Sequence, residues 1–247
     1  MSGHSHFATI KRQKAANDAV RGKVFSRHSK AIAIAIKEGG GADPEGNSKL
    51  RFAIEQAKAD NMPKVNIERV LSRASEAGDM EEVTYEGFAP EGVGVVVKAA
   101  TDSRNRTSQA IKNIFEKSGG TLAGPGAVLF NFEQKGLILV KKQADVQMQM
   151  LSLIDLGVED VEEADDAIEA YVSPANLSGT KETLSGSGFE VMSFSLIMKP
   201  INLVLVEDAD KVKKIINLLD QLEEQEDVQD VYSNIDIPSQ MAKSLGS

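Results

Sequence analysis

A chain of 247 residues, 41% hydrophobic and 26% charged, has the length and composition of a folded protein of one to three domains, which excludes disordered and fibrous classes. With no cysteine it can form no disulfide, thiolate zinc site, iron–sulfur cluster or cysteine nucleophile, which fits a reducing, cytoplasmic setting. No apolar run approaches the roughly 18 residues of a membrane span, and MSGHSHFATIKRQK lacks a secretory apolar stretch, so neither membrane nor secretion is expected.

The net charge of -9 conceals a reversal of sign along the chain. Residues 1–37 carry eight Lys or Arg against one acid, a net +7, and all three histidines. Residues 136–247 carry eight lysines against 21 acids, a net -13, and the last arginine is Arg106. Guanidinium forks suit phosphate and base recognition, so a basic end on an acidic body points to a polyanion partner for that end.

In chain order, the first 78 residues read as helices and loops. A short amphipathic helix is expected over about Thr9–Val20. Over Phe25–Ile36 the AIAIAI run alternates with period two, yet alanine favours helix, so a helix with Phe25, Ile32 and Ile36 on one face is expected. Gly39-Gly40-Gly41 ends it. Further helices are expected over Ser48–Asp60 and from Pro63, with Leu50, Ile54, Ile67, Val70 and Leu71 inward. After Gly78 the texture turns β-branched, with strands expected over Val93–Ala100, Ala127–Phe132, Leu137–Val140, Val158–Val161, Ala167–Val172, Phe189–Ile197, Ile201–Val206 and Val228–Tyr232. Helices fall between them over Asn105–Lys117, Ala144–Leu156, Pro174–Ser185 and Ala209–Leu222.

This order gives one β-α-β-β-α-β unit flanked by two βαβ halves, and pairing of the halves across the insertion would leave fewer open edges. The expectation is an α+β fold of three domains: a helical basic domain over 1–78, an α/β domain from 82–133 and 200–240, and an inserted ferredoxin-like domain over 134–199. Exposed linkers are expected at Gly78–Glu82, Glu133–Gly136 and Met198–Pro200.

No constellation with catalytic or metal-binding spacing is legible. His4, His6 and His28 have no cysteine or obvious carboxylate beside them, and GGGADPEGN lacks the ending of a phosphate loop. No enzyme, cofactor or metal is expected. The basic N-terminal segment is the strongest signal. The candidate nucleic-acid contacts are His4, Lys11, Arg12, Lys14, Arg21, Lys23, Arg27 and Lys30, and Phe7 beside them either stacks on a base or packs as a staple. Residues 48–73 read as a helix-turn-helix presenting Lys64 and Asn66, or more simply as core. TDSRNRT at 101–107 offers Arg104 and Arg106 as a second contact at a helix start, or a helix capped by Asp102 or Ser103.

Gly3-His4-Ser5, Ile10-Lys11, RGKVF at 21–25, GGGADPEGNSKLR at 39–51, NMPKVNIER at 61–69, YEGFAPEGVGVVV at 85–97, TDSRNRT at 101–107 and Gly119-Gly120 together resemble the YebC/PmpR family. That resemblance spans the chain. It implies a helical domain followed by two α/β domains, one inserted in the other. It also implies a regulator of gene expression: members are described as DNA-binding transcriptional regulators. A mitochondrial relative and some bacterial members instead act in translation, the latter on ribosomes stalled at proline-rich stretches. The sequence departs from the family pattern at His6, Phe7 and Gln13, where Lys, Trp and Arg are common, while Arg12 adds a charge. The acidic body disfavours lying along a duplex, so a ribosome-associated translation factor gripping ribosomal RNA ranks first, and a DNA-binding transcriptional regulator is the alternative. A monomer is expected.

Overall fold

The computed structural model describes residues 18–73, 80–164, 166–238 and 241. The expected helix over Thr9–Val20 lies almost wholly outside them, as does Phe7. The described residues form an α+β structure of helices, two four-stranded antiparallel sheets and one two-stranded parallel sheet, in two compact units. One holds the described residues up to Phe130 together with Asp208–Ser233. The other holds Asn131–Glu207 and the described residues from Asn234 onward.

The first unit begins with three helices, α1 (Asp18–Glu38), α2 (Ser48–Ala59) and α3 (Lys64–Ser72). Ile32, Ala35, Ile36, Leu50, Ile54, Ala57, Met62 and Ile67 form their shared core, with Phe25, Val70 and Leu71 packed against it. The period-two AIAIAI run is helical because alanine tolerates burial on more than one side. Ile34 lies about 200° round the helix from Ile32 and is also buried, and α1 packs against strand β2 (Gly94–Thr101) as well as against α2 and α3.

Polar side chains fix the turns. Asn47 is buried, caps α2 by accepting from the Leu50 N–H at 3.0 Å, and donates to the Ala35 and Gly41 carbonyls at the end of α1. Gly39 is required there, because a Cβ would stand 2.0 Å from the Asn47 Oδ1. After α2, Asn61 takes the left-handed conformation usually given to glycine (φ 60°). Met62 then closes a Schellman turn onto the Ala57 carbonyl at 2.8 Å.

The sheet of this unit runs β3-β1-β2-β9, with β1 at Glu81–Phe88, β3 at Thr121–Ala123 and β9 at Val228–Ser233. Helices α4 (Arg104–Lys117) and α7 (Ala209–Glu224) belong to the same unit. Along α7, Val212, Ile215, Ile216, Leu219 and Leu222 recur at helical spacing and are buried. The sequence reading expects Gly78–Glu82 to be a linker and Ala127–Phe132 to be a strand, whereas Glu81 and Glu82 already belong to β1 and Ala127–Asn131 lies outside any strand. Three glutamates weaken the propensity of EEVTYEGF, but β1 pairs with β2 along its whole length. Glu86 then accepts the N–H groups of Gly126, Val128 and Leu129 at 2.6–2.7 Å, so the following segment finds its partners in a carboxylate instead of a ladder. Those three donors outweigh the upward push of burial and hold the Glu86 pKa below the usual carboxylate range.

In the second unit, β4 (Phe132–Lys141), α5 (Val146–Asp155), β5 (Asp160–Glu163), β6 (Ala167–Val172), α6 (Leu177–Gly186) and β7 (Val191–Pro200) make a split βαβ. Its sheet order is β5-β6-β4-β7, antiparallel throughout. The segments expected as linkers, Glu133–Gly136 and Met198–Pro200, are here paired strand, from Phe132 opposite Pro200 to Gly136 opposite Leu196. Lys199 lies over the Tyr171 ring at 3.5 Å and pairs with Asp160 and Glu162 at 2.8 and 3.0 Å. Of the strand expected over Ile201–Val206 only β8 (Val204–Leu205) forms, parallel to β10 (Ile235–Asp236).

Replacing Asn47 by alanine leaves two carbonyls and one N–H without their side-chain partner. It is expected to lower stability by roughly 2 kcal/mol, read as a reduced urea midpoint at unchanged m.

Candidate nucleic-acid interface

Basic residues attract phosphate only where their charge faces outward, and the structure divides the sequence candidates on that point. His4, Lys11, Arg12 and Lys14 lie outside the described residues, and Arg21 stands in the first turns of α1. Lys23 is half-buried; burial lowers its pKa first and the Arg27 charge next, against Glu224 and Glu223. Arg27 donates to the Glu223 carbonyl at 2.8 Å, and Lys30 to the Glu226 carbonyl at 3.0 Å. The +7 segment therefore directs part of its charge at the end of α7.

The centre of this arrangement is Asp227, which is 4% exposed. Its carboxylate accepts from Lys30 Nζ at 2.9 Å, Arg106 Nη2 at 3.0 Å and Thr107 Oγ1 at 2.7 Å. Its carbonyl accepts from the Ala100 N–H at 2.8 Å. The Thr107 and Thr101 hydroxyls are 2.8 Å apart, and Thr101 Oγ1 accepts from the Ser103 N–H at 2.9 Å. A hydroxyl donates once, so the protons run from Ser103 N–H through Thr101 and Thr107 to Asp227. Burial alone would raise the Asp227 pKa. Hydrogen bonds from Lys30, Thr107 and Arg106, with the Lys30 charge, outweigh burial and bring it down to about 2.

The TDSRNRT segment is thus chiefly a joint. Ser103 is the cap residue of α4 but makes no side-chain cap bond, and Asp102 pairs with Arg106 at 2.9 Å. Arg104 forms a two-pronged pair with Glu81 at 2.6 and 2.8 Å. Both guanidiniums keep an outward side, with 63% exposure for Arg104 and 58% for Arg106. Lys30 has only 15% and is committed to Asp227. The sequence groups Lys30 with outward cations because it cannot register the acid nearly 200 residues away.

Other cations do face outward. Lys64 at the start of α3 is 87% exposed, with Glu68 one turn on at 3.5 Å. Arg51, Lys58, Arg69 and Arg73 are exposed, and Arg51, Lys58 and Arg73 have no carboxylate within 4 Å among the described residues. Sequence reasoning singled out none of these four, although seven-residue spacing in α2 and four-residue spacing at the end of α3 were readable as helix faces. Asn66, the other helix-turn-helix candidate, accepts from Arg69 at 3.3 Å, and Ile67 is core. His28 is 2.6 Å from Asp60, and no group of three or more metal-ligating side chains occurs among the described residues.

Family comparison matches residues 5–77 to the TACO1/YebC protein N-terminal domain and residues 80–235 to the TACO1/YebC second and third domain. A probable transcriptional regulatory protein of Dictyoglomus turgidum is 43% identical over 252 residues, covering 99% of this chain and 100% of the relative. One from Thermotoga maritima is 43% identical over 242 residues, covering 96% and 94%. The crystal structure of a conserved hypothetical protein from Aquifex aeolicus is similar with a TM-score of 0.83 and 42% identity, covering 90% of this chain and 93% of that one.

Because the folded-state pKa of Asp227 is depressed, its stabilisation is present above the ordinary value of 3.8 and is lost as pH falls toward 2. Asp227→Asn is expected to lose roughly 2 kcal/mol at pH 7, and its deficit against the parent should narrow between pH 4 and 2 in urea titrations.

Proposed function

The chain belongs to the TACO1/YebC family, and on that premise we propose that it is a non-enzymatic regulator of gene expression that binds nucleic acid through its helical layer. The observation that carries this reading is the set of outward cations on α2 and α3: Arg51, Lys58, Lys64, Arg69 and Arg73. Arg21 and the basic residues before α1, namely His4, Lys11, Arg12 and Lys14, extend the surface in sequence. Arg104 and Arg106 add two half-neutralised guanidiniums at the start of α4. Phosphate contacts of this kind supply affinity, register and steep salt dependence. In this reading the chain forms three domains, at 1–78, at 82–133 with 200–240, and at 134–199, and acts as a monomer in the cytoplasm.

Full-length likeness to proteins named probable transcriptional regulatory proteins supports DNA as the target and transcription as the process, the alternative of the sequence reading. The translation-factor reading, which the sequence ranks first, draws on a different observation. The net charge of -13 over residues 136–247 would be repelled by a long duplex, whereas a basic tip entering an RNA cleft tolerates an acidic rear.

Alanine at Arg51, Lys58, Lys64, Arg69 and Arg73 together is expected to weaken nucleic-acid binding and to reduce the salt slope by about one per lost phosphate contact. Lys30→Ala should instead lower stability. A titration at fixed salt separates the two targets: a transcriptional regulator should prefer its operator over random DNA by about a thousandfold or more. A flat ratio together with salt-sensitive co-sedimentation with ribosomes would transfer the assignment to translation.

A further inference from the structure

Strand β1 is longer than its neighbour on one side. It pairs with β2 over all eight residues, but β3 reaches only Glu86, Gly87 and Phe88. The direction of the backbone groups follows from three contacts. The Ala89 N–H donates to the Val93 carbonyl on the β2 side, the Ala100 N–H donates across to Asp227, and the Phe88 carbonyl faces Gly120 on the β3 side. Alternation in an antiparallel ladder then turns the N–H and C=O of Glu82 and Thr84 away from β2, toward the edge that β3 leaves uncovered. No partner takes these four groups among the described residues. Beyond Ala123 the chain would pair opposite Thr84 at Pro125, which has no N–H, and Gly126 is drawn off to the Glu86 carboxylate. At the other end Lys37 Nζ takes the Met80 carbonyl at 3.2 Å. The open stretch is therefore bounded at both ends.

Beside it lies an open groove of about 380 Å³ between β1 and α4. Val83, Tyr85 and Leu122 give it an apolar floor, and Arg104, Asn105 and Ser108 a polar wall. The Tyr85 hydroxyl donates to the Arg104 carbonyl at 3.3 Å, which holds the ring along the helix start. A row of unused backbone donors and acceptors next to an apolar slot is the geometry that accepts an added strand.

We propose that the Glu82–Thr84 edge binds a short extended polypeptide segment of a partner protein, running antiparallel to β1 in line with β3. A small aliphatic side chain would enter the Val83–Tyr85–Leu122 groove, and a lysine or arginine would lie opposite Glu82. The backbone groups call for another backbone, which a nucleic acid does not offer. Charge favours a basic residue. Around the edge Arg104 is paired with Glu81 and Lys49 with Glu38, whereas the exposed Glu82 on the open edge has no ion pair within 4 Å among the described residues. A second copy does not fit. In a symmetric pairing through Glu82 and Thr84, Met80 of one molecule would need the place beside Glu86 that Ala123 of the other already holds.

The test uses the full chain, 15N-labelled, with a capped pentapeptide of alternating lysine and valine, a matched glutamate and valine peptide, and an oligouridylate as probes. Shifts induced by the lysine peptide are expected at residues 81–86 and 104–108, with added amide-exchange protection at Glu82 and Thr84. Thr84→Pro removes one edge N–H that the β1–β2 ladder does not use, and should weaken binding by about fivefold or more while far-UV circular dichroism stays native. Glu82→Lys should exchange the preference, so that the glutamate peptide binds better. Native-like Thr84→Pro that binds as the parent does, shifts confined to other regions, or displacement of the peptide by the oligouridylate from these same amides would overturn the proposal. Should Thr84→Pro fail to fold, an unchanged peptide preference in Glu82→Lys would overturn it.

Discussion

A buried carboxylate holding three donors from two helices behaves as a joint. Asp227 stands between the last turn of α7 and β9, and its partners come from α1 and from the first turn of α4. Removing any donor leaves charge in a poorly solvated place, so the partners hold one another in position. Because Lys30 belongs to the helical layer and Asp227 to the sheet layer of the same unit, the joint fixes the helices against the sheet. Arg27 reinforces it by donating to the Glu223 carbonyl, in the last turn of α7 where a helix leaves carbonyls without intrahelical partners, and Lys30 by donating to the Glu226 carbonyl just beyond the helix.

The cations of the helical layer therefore fall into two groups, those of α1 and those of α2 and α3. One part is structural cation. The other, on α2 and α3, points outward, and its helices are held by the apolar core of Ile32, Leu50, Ile54 and Ile67. Rigid support matters because phosphate contacts fix register only when the cations keep a constant spacing. The turn at Asn61 and the cap at Asn47 keep that spacing by satisfying backbone groups locally.

Glu86 plays a comparable part on the other side of the same sheet. By collecting three backbone N–H groups it lets the chain leave β3 early, and the early exit bares the neighbouring edge of β1. The open edge and the carboxylate cradle are consequences of one another. Edges of this kind are usually short or charged to discourage indiscriminate pairing, and the uncovered stretch of β1 shows both traits, spanning Glu82–Thr84 with Glu82 exposed on it.

The sequence by itself determined the α+β class, the helices from Ser48 onward and the core positions, because these depend on periodicity and on residues within a few turns, whereas the helix expected over Phe25–Ile36 begins at Asp18. Ile32, Leu50 and Ile67 on the helices, and the inward row of α7, were legible for that reason. It also marked Arg104 and Arg106 as unusual. Strand limits near the sheet edges were not legible. Glu133–Gly136 and Met198–Pro200 look like linkers until each finds the other as its partner, and β1 looks too acidic until β2 pairs with it. Which cations stay free was decided by the tertiary structure alone. Lys30 and Asp227 are 197 positions apart, and only folding brings them to 2.9 Å, where a shared desolvated site makes the pairing compulsory.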